Sequence, residues 1–236
     1  MYRLLCLLGL FSTLAAVEAK DARTCRVVFL SAPPDAPETL HLFDGKTSRE
    51  VTLPGMNFSP VYPLPSGELL LRMLPAEVTD PEKTPPDAPS VAVPEAVTDF
   101  YLLVSSDPAN SVAPVKLEII DATKLLKGHM LWVNLTPNTL DGLLGTVKLE
   151  LEPNSKKLLS PPTSKNEDYA ANLSYRKPDS DVLRPLSENK WSHDHDVRTV
   201  FFVVQTEANP APRILGLSDH REPVAKEGKK KKAAKR

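Results

Sequence analysis

The chain has 236 residues, with 24 prolines, only nine glycines and fourteen aromatic residues, and its formal net charge of −1 lies close to balance. Of its two cysteines one falls in an apolar leader. The single thiol left after export, Cys25, excludes an intrachain disulfide and any zinc cluster built on thiolates.

Residues 1–19, MYRLLCLLGLFSTLAAVEA, place one arginine ahead of an apolar run and end on small residues, the pattern of a secretory signal peptide. The run is short of the roughly 20 apolar residues that a spanning helix needs, and no later stretch approaches that length. An exported, periplasmic or extracellular protein is therefore expected. Cys6 leaves with the leader. Cys25 opens the first strand and reads as a buried packing residue, with an intermolecular disulfide or a reactive thiol as the alternative.

Short β-branched and aromatic runs then alternate with proline, asparagine and aspartate, which are strand and turn signals. The first set covers 25–30, 39–43, 49–53, 67–74, 99–105 and 115–120. The second covers 129–135, 145–152, 169–176, 197–206 and 213–217. Residues 122–127 and parts of 138–145 could form helical turns, too short to matter. In VKLEIID and TVKLELE apolar and charged residues alternate, as in a sheet with one packed and one wet face. FYLLV at 100–104 and VFFVV at 200–204 are apolar throughout, which predicts central strands covered on both sides.

Those two strands lie 100 residues apart, and other features recur at a similar distance. VTLP ending at Pro54 matches LELEP ending at Pro153, and VVFLSAP at 27–33 resembles MLWVNLTP at 130–137. APVKLEIID from Ala113 aligns with APRILGLSD from Ala211 at an offset of 98, setting Leu117 on Leu215, Ile119 on Leu217 and Asp121 on Asp219. The fold class this predicts is all-β, with two tandem immunoglobulin-like antiparallel β-sandwich repeats at 24–122 and 127–222. The proline-rich stretch 75–94 has the composition of a linker, but the period makes it a long loop inside the first repeat. The boundary then falls near 122–128, and 223–236 forms a disordered basic tail.

The first half, RVVFLSAPPDAPETLHLFDGK followed by LPSGELLLR, resembles secreted bacterial immunoglobulin-like domains of unknown function, whose first strand runs into A-S-P-D-A-P and whose later strand follows L-P-A-G. The likeness covers about fifty residues, Arg26 to about Arg72, and rests on loop and turn motifs that the second half lacks. It implies an extracellular sandwich and carries no activity.

No nucleophile elbow, HExxH helix, phosphate-binding glycine loop or dinucleotide fingerprint is present, and no cofactor is implied. What resembles chemistry is NKWSHDHD at 189–196. In an extended segment His193 and His195 point to one side and could bind a metal together. A third ligand would have to come from His41, His129, His220 or Asp99. The competing reading is a polar turn before the strand at 197–206, its aspartates bonding to nearby backbone. Trp191 reads as packing on the sandwich edge or as a sugar-stacking platform, although fourteen aromatics are few for a carbohydrate binder. Glycosylation sequons stand at Asn57, Asn134 and Asn172, relevant only to a eukaryotic secretory route, and proline follows the first two closely.

Residues 226–236 hold seven of the 29 basic residues and one of the 30 acidic ones, so a tail of +6 ends a body of −7. Lys229, Lys230, Lys231, Lys232, Lys235 and Arg236 could tether the protein to an anionic surface, or could simply keep it soluble. Salt-dependent envelope retention before and after deleting 226–236 separates the two. The absence of aromatics among the lysines disfavours nucleic acid. The expectation is a non-enzymatic binding or scaffolding protein of the cell envelope, its partner an envelope protein or anionic polymer. The alternatives are a metal-binding protein or metal-dependent hydrolase using His193 and His195, and a carbohydrate-binding module.

Overall fold

The computed structural model describes residues 23–206 and 209–221. The expected leader at 1–19 and the basic tail, with Lys229, Lys230, Lys231, Lys232, Lys235 and Arg236, lie outside the described residues. The first half holds β1 (Arg23–Phe29), β2 (Thr39–Phe43), β3 (Ser48–Thr52), β4 (Tyr62–Leu64), β5 (Leu69–Leu74), β6 (Ser90–Val93), β7 (Asp99–Ser106) and β8 (Val115–Asp121). The second holds β9 (Met130–Asn134), β10 (Thr139–Leu144), β11 (Val147–Leu151), β12 (Lys156–Leu159), β13 (Glu167–Arg176), β14 (Arg184–His193), β15 (Arg198–Thr206) and β16 (Asn209–Asp219). Among the described residues the only helical element is one 3₁₀ turn at Pro81–Lys83, capped by Asp80, and no helix is long and apolar enough to cross a membrane.

The chain is all-β, and its two halves repeat one topology. Sheet order β4-β1-β7-β8 in the first recurs as β12-β9-β15-β16, and β3-β2-β5-β6 recurs as β11-β10-β13-β14. The expectation of purely antiparallel sheets needs one correction. β1 runs parallel to β7, and β9 runs parallel to β15, so the inner sheet of each half is mixed. In both halves the first and seventh strands lie side by side in the same direction, their ends joined through the other sheet.

Three hydrophobic cores hold four sheets in a stack. Val27, Phe29, Leu42, Met73, Phe100 and Leu102 fill the first sandwich. Trp132, Leu140, Leu149, Leu173, Phe201 and Val203 fill the second. Between them the outer faces of the two mixed sheets form a shared core of Val28, Tyr101, Leu103, Leu131, Val200 and Phe202. This explains the uninterrupted apolar runs. Phe100, Leu102 and Val104 on β7 face one core while Tyr101 and Leu103 face another, so no position from Phe100 to Val104 is wet. Burial on this scale contributes roughly 25 cal/mol per Å² of apolar surface, and the shared core makes the halves one packed body.

The strand order repeats, but the residue pairing at offset 98 does not. Leu117 packs inside the first sandwich whereas Leu215 packs into the shared core, and Asp121 is exposed whereas Asp219 is 1% exposed. The ladders give the pairing directly. Cys25 stands beside Phe100, which pairs with Asp121; Met130 stands beside Thr199, which pairs with Ser218. Phe100 therefore corresponds to Thr199 and Ile119 to Gly216. A slip of one residue in a strand exchanges its two faces, which is why a good sequence match gave the wrong partners.

Candidate functional site

A cluster of charge closes one end of the shared core. Asp219, with no side-chain exposure, accepts hydrogen bonds from the Tyr101 hydroxyl at 2.5 Å, Arg198 Nε at 3.1 Å and Arg221 Nε at 2.9 Å, and pairs with Arg26. Asp99 accepts from Arg198 Nη1 at 2.7 Å and from the Thr24 hydroxyl at 3.0 Å, and pairs with Arg221. Burial alone would raise the Asp219 pKa, but the Tyr101 hydroxyl and the Arg198 and Arg221 guanidinia bring it below the ordinary carboxylate range. Burial and the Asp219 charge push the Tyr101 phenol far up, so it stays a donor. Thr24, Arg26, Asp99 and Tyr101 come from the first half, and Arg198, Asp219 and Arg221 from the second. The cluster joins the two sandwiches through ion pairs between them, and Arg221 Nη2 is its one buried side-chain atom without a hydrogen-bond partner among the described residues.

The open site lies in the second sandwich, at the mouth between its edge strands β14 and β16. A cleft of about 360 Å³ opens there, floored by Met130, Tyr169, Trp191 and Phe201. Its polar lining comes from Ser192, His193, Asp194, Thr199, Ser218 and His220. Phe201, Trp132 and Trp191 form a mutually stacked triangle, with ring centroids 4.5 Å apart for Trp132 and Phe201, 5.3 Å for Trp191 and Phe201 and 6.2 Å for the two indoles. Gly216 permits this, because a Cβ there would come within 2.9 Å of the Phe201 ring. His193 is 8% exposed and its Nε2 has no hydrogen-bond partner among the described residues. Burial lowers its pKa, and the neighbouring His195 adds to this while Asp194 opposes it.

The first sandwich closes the same mouth. There β6 runs close to β8, and Val93, Phe100 and Ile119 pack into the core. Val93 and His193 are the last residues of their strands, and each precedes a turn closed by an i to i+3 hydrogen bond, Val97 N–H to Pro94 O and Val197 N–H to Asp194 O. From below, the buried Arg23 guanidinium donates to the Val97 carbonyl at 2.7 Å and the Pro94 carbonyl at 2.9 Å. By the same register Arg23 corresponds to Gly128, at φ +74°, where a Cβ would sit 3.1 Å from the His195 carbonyl. Phenylalanine and isoleucine in one repeat thus become Thr199 and Gly216 in the other, and the space they vacate opens the cleft, while the larger, polar His193 ends its strand where Val93 ends the first.

The NKWSHDHD stretch divides in two. Asn189 to His193 extend β14 along β13, so the turn is shorter than expected and comprises Asp194, His195 and Asp196. Asp194 Oδ1 accepts from the Asp196 N–H at 2.9 Å, the local bond the turn reading requires. His193 faces the cleft. His195 is exposed, takes its backbone and ring contacts from Asn166, and joins Asp194 and Asp196 in an exposed trio whose ligand atoms lie within 4.8 Å of one another. His193 belongs to no such group among the described residues. His220 shares the cleft, Asp99 belongs to the seam, His129 Nδ1 lies 3.2 Å from the Lys127 carbonyl, and His41 is on β2 of the first sandwich.

Trp191 packs against the second core and also lines the cleft, so edge packing and ligand stacking draw on the same ring. Cys25 is fully buried and its thiol is pushed up to about 12 by burial, a packing residue. Asn134 is buried, its amide donating to the Asn138 and Glu152 carbonyls, which removes it as a glycan acceptor in the folded protein. Sequence reasoning missed Tyr169, Thr199, Phe201, Gly216 and Ser218. The one signal that could have found the last four was the face-by-face comparison of the repeats, which needs the correct register. No protein-family model matches the chain, and no curated protein matches it.

Proposed function

We propose that the protein is an exported, non-enzymatic binding protein of the cell envelope, with the cleft of the second sandwich as its ligand site and the first sandwich as its support. One observation carries this reading: the equivalent mouths of a repeated fold are apolar and filled in the first copy, open and polar in the second. A buried imidazole nitrogen without a partner costs about 1–3 kcal/mol, a cost that a ligand hydrogen bond would offset. The leader pattern supports export. The non-enzymatic reading keeps the expectation drawn from the sequence, which carries no nucleophile elbow, HExxH helix or phosphate-binding glycine loop.

Saturation-transfer NMR against neutral sugars, uncharged dipeptides, nucleosides and small carboxylates tests the site, comparing wild type with Thr199→Phe, which restores the first repeat's residue. At least one class should give a signal that falls ten-fold or more in the variant. No signal from any class, or signals that survive the substitution, would overturn the proposal.

A further inference from the structure

The lining of the cleft restricts what it can hold, given the reading that it is a ligand site. Among the described residues no lysine or arginine lines it, and Asp194 stands at its rim, so an anion would meet repulsion and no counter-charge. A cation would find one exposed carboxylate, whose Oδ1 already accepts the Asp196 N–H. A wholly apolar ligand would bury the His193 nitrogen and the Thr199 hydroxyl against hydrocarbon, leaving both unpaired. The remaining chemistry has one apolar face and several uncharged hydrogen-bonding groups around its edge.

We infer that the cleft takes one neutral sugar ring, its C–H face against the Trp191 indole and its hydroxyls bonded to His193 Nε2 and the Thr199 and Ser218 hydroxyls. The floor suits this. Trp191 is held by Phe201 behind it and by the edge of Tyr169, 6.4 Å away between centroids, so the indole is fixed before a ligand arrives. Neutral imidazole can accept from a sugar hydroxyl at Nε2, and Thr199 and Ser218, cross-strand partners on β15 and β16, present two hydroxyls side by side. The volume of about 360 Å³ lies at the lower end of the range for small-ligand sites, so a single ring occupies it and further residues of a glycan would extend into solvent.

The same NMR panel tests the sugar, with glucose, galactose, mannose and N-acetylglucosamine as neutral probes and glucuronate and galacturonate as their charged counterparts. At least one neutral sugar should bind, ten-fold or more tighter than either uronate. Trp191→Ala should remove that binding, and the exposed Ser218→Ala, which leaves the core untouched, should weaken it about five-fold. If dipeptides or nucleosides bind in a manner sensitive to Thr199→Phe while every neutral sugar is silent, the sugar assignment falls and the cleft stands as a site. If uronates bind as well as neutral sugars, the charge argument fails and the assignment falls with it. If no probe of any class binds, both readings fall.

Discussion

The first and second sandwiches are built on one plan and differ in what their mouths do. In the first, Val93 and Phe100 are essentially unexposed and the Arg23 guanidinium braces the turn above them. In the second, the matching His193 and Thr199 are polar, Gly128 replaces the bracing arginine, and the edge strands part around a cleft. One copy uses its mouth for stability and the other gives up that packing. The shared core and the Arg–Asp seam hold the pair together, so the second sandwich can carry an open mouth without having to stand alone.

The most damaging test of this division removes the seam. Asp219→Ala leaves Arg26, Arg198 and Arg221 facing one another without their common partner, and a loss of about 3–5 kcal/mol is expected in urea unfolding. A drop below about 1 kcal/mol would mean that the seam is dispensable. Next comes conversion of the closed mouth toward the open one. Phe100→Thr creates a cavity and buries a hydroxyl, and should cost about 3 kcal/mol by the same measurement.

The smallest effect is expected from the reverse exchange. His193→Val removes the unpartnered nitrogen and should stabilise the protein by about 1 kcal/mol. It should also flatten the acid side of the stability profile. The folded-state pKa of His193 is depressed, so the unfolded chain binds the extra proton first as pH falls. Stability is thus full above the ordinary histidine range and is lost as pH drops through it toward the folded value. Asp194 and His195 act on this imidazole, the Tyr169 ring meets it edge-on and His220 lines the same cleft, and thermal melts of wild type and variant between about pH 4 and 8 isolate its share. Equal slopes would show that His193 does not titrate as its burial implies.

The strands that were legible in the sequence and those that were not separate on physical grounds. The central β7 and β15 announce themselves because both faces are dry. Four of the five unpredicted strands, β4, β6, β12 and β14, are sheet edges, and β4 and β14 contain proline while β12 begins with two lysines. An edge strand has one hydrogen-bonding neighbour and tolerates such residues, so its sequence is weakly marked. The fifth, β10, is interior but carries an Asp-Gly pair. Gly142 is needed there because a Cβ would collide with the Asn172 carbonyl. The 75–94 segment likewise hides β6 within a proline-rich stretch. In the site, His193 and Trp191 stood out by residue type, whereas Thr199, Gly216 and Ser218 are ordinary residues whose meaning depends on what faces them.

By itself the sequence determined an all-β chain of repeated strands, because alternation and turn residues act over a few positions and need no knowledge of distant partners. The register between the repeats, the shared core, the seam joining residues as far apart as Arg26 and Asp219, and the open mouth were decided by tertiary structure. Each depends on which side chains of remote strands meet, and a shift of one residue along a strand is enough to exchange a buried face for an exposed one.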